Sequence, residues 1–379
     1  MTGELEQLRR EIGALREPLA GCLLDWVAAE SPSQDKAAVD AFGARVAAAL
    51  QGAGLAVEIE PRETAGDLIH ARLAGRAAPI LVLGHFDTVH PPGSIRLNPP
   101  RREAGRIWGP GAHDMKGGLV ALLGALRALQ ALGQRPHSAL EVLLTGDEET
   151  GSDQSRGRIV ELAQSCGAVL VLEPPLAGGA LKTRRKGVGR FGLVVSGRPA
   201  HSGVQPEAGV SAIHEMAHQI LALEALADPA AGISVTVGIV RGGTRTNVVP
   251  ERCEAWIDAR CWSAGDAERL TAALRALRPR HPEARLELSG GFDRPPLEPT
   301  PANQALFERA RALARAAGLE LRGGETGGGS DGSLTSAAGI ATLDGLGPDG
   351  AGLHSSDEFI LEDSLLERAL LLALLLSQL

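Results

Sequence analysis

Apolar residues recur in two rhythms along the first half of the chain. Over residues 4–29 and 36–53 they return every three or four positions, the spacing of amphipathic helices, and the second stretch stops at the glycines of "QGAGL". Short runs follow. "AVEIE", "LIHARL" and "PILVLGH" read as strands, "GGLVALLGALRALQAL" as a helix, "ALEVLLTG" as a strand, "SRGRIVELAQ" as a helix and "AVLVLEP" as a strand. Continuous apolar strands alternating with helices predict an α/β fold around a mostly parallel sheet. From about Val188 the texture changes to "VGRFGLVVSG", "GISVTVGIVRGG" and "CEAWIDARCW", strands joined by two helical stretches, which predicts an α+β unit of the ferredoxin-like kind. After about Pro295 helices and glycine-rich loops return. The expected organisation is therefore a first domain in two parts, 1–187 and 295–379, with a second domain, 188–294, inserted into it.

Composition narrows the function classes. With 379 residues, 44% hydrophobic and 22% charged, the chain has the make-up of a globular protein with a substantial core. A net charge of -8 without any basic block interleaved with aromatics argues against nucleic acid. Arg strongly outnumbers Lys and Tyr is absent, a bias to which we attach no function. The charged, heptad-like N-terminus lacks the pattern of a signal peptide, so a cytosolic protein is expected. The apolar "LLERALLLALLLSQL" is too short between charges for the roughly 20 residues of a membrane span and is expected to be a core helix. Cys22, Cys166, Cys253 and Cys261 are scattered, as free thiols of a reducing compartment would be.

The candidate chemistry lies at strand ends. "PILVLGHFD" ends in His85 and Asp87, "ALEVLLTGDEE" in Glu148 and Glu149, and "AVLVLEP" in Glu173, while "WGPGAHDMKGG" offers His113 and Asp114 just before a helix. In a parallel sheet such ends converge on one crevice. Two carboxylates about 4 Å apart repel by about 4 kcal/mol at an effective dielectric near 20, so a counter-cation is needed. Lys116 and the arginines around Arg156 only flank the cluster. His, Asp and Glu without Cys suit zinc, with cobalt and manganese as alternatives. Three ligand carboxylates and two histidines overcharge one dication, whereas two leave about +1 for a bound hydroxide to cancel, so a dinuclear site fits better.

These residues also carry a resemblance. "GHFDTV", "WGPGAHDMKGG", "TGDEETGS", "LEP", "GRPAHSG", "GGTRTNVVP" and "LHSSDE", in that order over nearly the whole chain, resemble the M20 family of metallopeptidases and amidohydrolases, most closely its glutamate carboxypeptidase branch. The resemblance implies that His85 and Glu173 hold one zinc, Glu149 and His354 the other, and that Asp114 bridges them. It implies that Asp87 orients His85, that Glu148 is the general base, and that the peptide bond after Asp114 is cis. In the inserted domain, which the resemblance makes a dimerisation or lid domain, it implies that His201 reaches the partner subunit's site in a homodimer. It further implies that Asn247 orients substrate and that Arg260 and Arg294 take the substrate's terminal carboxylate, with the Gly-rich "GGETGGGSDGS" near the substrate.

The expected substrates are N-acyl amino acids or short peptides from which a C-terminal residue, glutamate first, is released. An acetylornithine or succinyl-diaminopimelate type of deacylase is the alternative, and a binding protein without turnover is disfavoured by the presence of Glu148. Asp147 is read as a turn residue, His113 as no ligand, His90 as a surface residue, and His214 and His218 as one helix face.

Overall fold

The computed structural model describes residues 2–379. The chain divides into two compact units, one of residues 1–183, 299–326 and 330–379, the other of residues 184–298 and 327–329.

The first unit is built on an eight-stranded sheet. Its order is Ala56–Glu60, Gly66–Leu73, Ser138–Gly146, Ala77–His85, Ala168–Val171, Thr342–Asp344, Leu181–Arg185 and Gly323–Thr326. The four strands from Ser138–Gly146 to Thr342–Asp344 are parallel, and antiparallel partners flank them. The continuous apolar runs are the parallel core: Val169, Leu170 and Val171 are at most 1% exposed, as are Leu81, Val82 and Leu83. The strands Leu181–Arg185, Gly323–Thr326 and Thr342–Asp344 escape the hydrophobic pattern because they are short, and "LKTRR" is largely charged.

Helices cover this sheet. The stretch 4–29 is two helices, Thr2–Ala14 and Arg16–Ala28, instead of one. Pro18 explains the break, because it has no N–H to give to the carbonyl of Ala14 and its ring would crowd that carbonyl. Lys36–Gly52 begins at Asp35, whose side chain accepts the N–H of Ala38. The apolar C-terminus forms the helix Glu362–Gln378, with Leu365, Leu371, Leu372, Leu375 and Leu376 at most 1% exposed. Each such leucine contributes about 1.5–3 kcal/mol through burial. No helix among the described residues is long and apolar enough to cross a membrane.

A small second sheet in this unit pairs Phe359–Leu361 with Arg106–Trp108, opposing Phe359 to Trp108. It joins segments far apart in sequence, the one running up to Asp114 and the one that follows His354.

The second unit has the order strand, helix, strand, strand, helix, strand: Gly187–Ser196, Ala212–Glu224, Ser234–Gly242, Arg252–Cys261, Ala264–Arg275 and Arg285–Arg294. Its antiparallel sheet runs second, third, first, fourth, which is the ferredoxin-like arrangement. Ser211 and Ser263 cap the two helices. The strand Ser234–Gly242 is an edge, with Ile239 and Val240 exposed.

Candidate active site

Three parallel strands end side by side. Ala77–His85 lies between Ser138–Gly146 and Ala168–Val171, with His85 opposite Thr145 and Leu83 opposite Val171. His85, the turn beginning at Asp147, and Glu173 therefore leave the sheet at the same edge, and His85 Nε2 lies 3.7 Å from Glu173 Oε1. Asp114 arrives from the turn before the helix Gly117–Ala131, and the Asp114–Met115 peptide is cis. Gly118 lets that helix come close, since a Cβ there would collide with the carbonyl of Leu172, next to Glu173. His354 comes from a loop in which it holds φ at +59°, a left-handed conformation that costs an ordinary residue about 1–2 kcal/mol.

The two oxygens of Asp114 face different histidines. Oδ1 is 3.2 Å from His85 Nε2 and Oδ2 is 3.2 Å from His354 Nε2, and Glu149 Oε2 is 3.7 Å from His354 Nε2. Donor atoms that share a tetrahedral ion at about 2.0–2.1 Å stand about 3.3 Å apart, so these separations suit ligands around metal. The other Glu149 oxygen, Oε1, is buried without a hydrogen-bond partner among the described residues. Ligand atoms of His85, Asp114 and Glu149 lie within 4.8 Å of one another, as do those of His85, Glu148 and Glu173.

The electrostatics point the same way. Burial opposes the charge of Asp114, but hydrogen bonds from His354 and His85 overcome it and hold the carboxyl well below the usual carboxylate range. Burial and the nearby charge of Asp114 push Glu149 well above its ordinary value. Burial lowers His85, yet the bonds to Asp114 and Asp87 leave it raised well above the ordinary value, and the bond to Asp114 raises His354. A cluster that holds protons this tightly has the excess negative potential that a divalent cation neutralises. The donor set fits a metal ion.

Lys116 does not supply the missing charge. Its buried ammonium donates to the carbonyls of Ala29 at 2.8 Å and Trp26 at 3.2 Å, and burial pushes it down to about 7. Lys182 does sit at the cluster, its ammonium 4.0 Å from Glu173 Oε2. The strand reading missed this lysine because "LKTRR" resembles a loop.

Asp87 does more than orient a ring. His85 Nδ1 is 3.0 Å from the backbone oxygen of Asp87, so Nδ1–H donates there and Nε2 is the ring nitrogen turned to the cluster. The Asp87 carboxylate, fully buried, accepts the N–H groups of Glu148 at 3.2 Å and Glu149 at 3.3 Å and the hydroxyl of Ser33 at 2.7 Å. Asp147 is the turn residue: its backbone oxygen accepts the N–H of Ser152 and its carboxylate that of Gln154. His113 is buried with neither ring nitrogen bonded among the described residues and belongs to neither ligand group. His90 is a correction. It is largely buried, and its Nε2 lies 2.5 Å from Glu358, a fully buried acid that closes the "LHSSDE" motif but was assigned no role there.

The second unit holds the remaining candidates. His201 and Asn247 are exposed neighbours, joined by a bridge between His201 and Val248 and by the N–H of Ser202 donating to the carbonyl of Asn247 at 3.1 Å. His201 Nδ1 accepts the N–H of Gly203 at 3.1 Å, which leaves the proton on Nε2. The guanidinium of Arg260 is held by both oxygens of Asp258, at 2.9 and 3.1 Å, and by the carbonyl of Gly327 at 2.8 Å. Arg294 is 5% exposed and ends the strand Arg285–Arg294. His214 and His218 lie side by side on one helix face, with ring centroids 4.8 Å apart and the ring planes tilted by 56°.

Known proteins share this architecture. The profile of peptidase family M20/M25/M40 matches residues 81–378. The chain belongs to this family. This M20 chain is 31% identical over 313 residues to carboxypeptidase G2 of Pseudomonas sp. (strain RS-16), covering 81% of this chain and 75% of that protein. It is also 31% identical over 306 residues to a succinyl-diaminopimelate desuccinylase of Verminephrobacter eiseniae, covering 74% of each. Among solved structures, the M20 family metallo-carboxypeptidase Sso-CP2 from Sulfolobus solfataricus superposes with a TM-score of 0.76 at 17% identity, covering 94% of this chain and 98% of that one. Aminopeptidase PepT from Bacillus cereus reaches the same TM-score, 0.76, at 22% identity, covering 95% and 98%. The protein is thus an M20 hydrolase of the metallo-carboxypeptidase and amidohydrolase type.

Proposed function

We propose that the protein is a dinuclear zinc hydrolase that cleaves an amide bond to release an amino acid with a free carboxylate, glutamate first, from N-acyl or short peptidyl substrates. The observation that supports it best is Asp114, whose two oxygens stand 3.2 Å from two different histidines. In this reading His85 and Glu173 hold one ion, His354 and Glu149 the other, and Asp114 lies between them. The ions, when bound, acidify a water and polarise the scissile carbonyl. Glu148 accepts the proton of that water and delivers it to the leaving amine. Asp87 fixes Glu148 and Glu149 through their N–H groups and His85 through its backbone oxygen.

The second unit supplies the parts that select and orient substrate. His201, with its proton on Nε2, donates to the developing oxyanion in the partner subunit's site, and Asn247 orients the amide. The exposed edge strand Ser234–Gly242, carrying Ile239 and Val240, is the surface we assign to a homodimer. Shared sites have a direct consequence. Mixed dimers of His201→Ala and Glu148→Gln are expected to regain one intact site and a substantial part of the parent rate, and heterodimers without recovery would end the shared-site assignment.

Arg294 takes the substrate carboxylate. Arg260, already gripped by Asp258, helps it by holding Gly327 of the glycine-rich loop. Arg294→Met is expected to lower kcat/KM for N-acyl amino acids by about ten- to 100-fold, because a charged hydrogen bond contributes about 1.5–3 kcal/mol. The same substitution should barely alter hydrolysis of the matching amides without a carboxylate. The four free cysteines accord with a cytosolic protein.

The similarity to a desuccinylase keeps the deacylase reading in view. Release of free amino acid from a panel that varies the amine side over Glu, Asp, Leu, Arg and ornithine, and the acyl side over acetyl, succinyl, benzoyl and peptidyl, separates the two. Preference for Glu with benzoyl or peptidyl groups supports the carboxypeptidase. Preference for acetyl or succinyl on another residue refutes it in favour of the deacylase.

A further inference from the structure

Two buried carboxylates brace the site in matching ways. Asp87 lies two residues after His85 and grips the N–H groups of Glu148 and Glu149. Glu358 lies four residues after His354 and is equally buried, at 0% exposure. Its Oε1 accepts the N–H groups of His113 and Asp114, both at 2.8 Å. Its Oε2 accepts the N–H of Gly111 at 2.9 Å and faces Nε2 of His90 at 2.5 Å. In both places the segment that carries a histidine also carries an acid that clamps the backbone beneath an acidic residue of the cluster.

We propose that Glu358 is a positioning residue for metal binding, fixing the turn that carries Asp114 against the loop that carries His354 so that each Asp114 oxygen meets its own histidine. The proposal rests on the reading that Asp114 and His354 hold metal. Strand pairing brings the two segments together, with Phe359 opposite Trp108 and the carbonyl of Glu358 accepting the N–H of Gly109. Pairing ends there. Beyond it, the chain from Gly109 to Asp114 has no ladder to follow, and the backbone N–H groups of residues 111, 113 and 114 all donate to this one side chain.

The chemistry requires a carboxylate. Four donors converge on two oxygens, each of which accepts two bonds. A glutamine offers one oxygen and one NH2, so whichever way it turns it presents a donor to a buried backbone N–H. The turn must then shift, and Asp114 with it. Residues behind metal ligands commonly change metal affinity by about 10–100-fold when replaced.

The test measures zinc without substrate, by competition with a chromophoric chelator and by counting zinc per chain, on the parent, on Glu358→Gln and on Glu362→Gln. Glu362 is a suitable control: it too is buried, and it is paired with Arg16 and Arg102, which the site does not use. Glu358→Gln should bind at least one ion about tenfold more weakly, or more so, and Glu362→Gln should match the parent. Parent-like affinity in Glu358→Gln, or equal losses in both variants, overturns the proposal. Should Glu358→Gln not fold, His90→Ala removes one of the four donors and should weaken zinc by a smaller factor than the roughly tenfold expected of Glu358→Gln, a milder form of the same effect. In that case parent-like affinity in His90→Ala overturns it. A parent that binds no zinc refutes the proposed function itself, whereas a two-zinc parent with an unaffected Glu358→Gln refutes only the role of Glu358.

Discussion

Replacing Glu148 by Gln is expected to leave zinc binding intact and to lower kcat by about 10³-fold, with KM within a factor of three. The side chain keeps its shape, and its backbone N–H remains on Asp87, so the fold of the turn is undisturbed. What is lost is the ability to accept a proton next to His85 and Glu173, whose ligand atoms lie within 4.8 Å of a Glu148 oxygen. Positioned general bases contribute about 10²–10⁴-fold, and an interaction made only in the transition state appears in kcat. Steady-state kinetics with zinc counted on the same sample decides the matter. A loss smaller than tenfold means that another group moves the proton.

Asp114→Asn should be more damaging, because it alters both halves of the site together. The amide keeps one oxygen and puts an NH2, which cannot bind a cation, in place of the other, and one negative charge disappears from between the two histidines. Native mass spectrometry is expected to show fewer than two zinc ions per chain. Activity should fall by at least about 10³-fold, since several kcal/mol of charge stabilisation depend on the ions and each 1.4 kcal/mol is a factor of ten. Two tightly bound ions in Asp114→Asn would show that Asp114 does not lie between them.

The parallel core of the sheet could be read from continuous apolar runs, and the candidate metal ligands could be read because they follow those runs directly, where parallel strands deliver their ends to one edge. The helix break at Leu15 was missed, because the apolar spacing runs on through it, although Pro18 marks it once its missing N–H is set against the carbonyl of Ala14. The pairing of Arg260 with Asp258 had a local signal, since residues two apart on a strand share a face. His90 had none, and Glu358, although it closes the quoted "LHSSDE", was assigned no role. They meet across 268 residues of sequence through a sheet of very short strands, and a histidine before "PPG" looks like an exposed turn until the strand Phe359–Leu361 is in place beside it. Short or charged strands such as "LKTRR" stay hidden for a related reason: neighbours on both sides specify them, and periodicity carries none of that information.

The most direct measurement is a zinc-edge anomalous difference map from crystals of the zinc-loaded protein. The expected result is two peaks about 3.5–4 Å apart, one between His85, Glu173 and Asp114, the other between His354, Glu149 and Asp114. A single peak, or peaks that do not share Asp114, would contradict the dinuclear site on which the proposed chemistry depends.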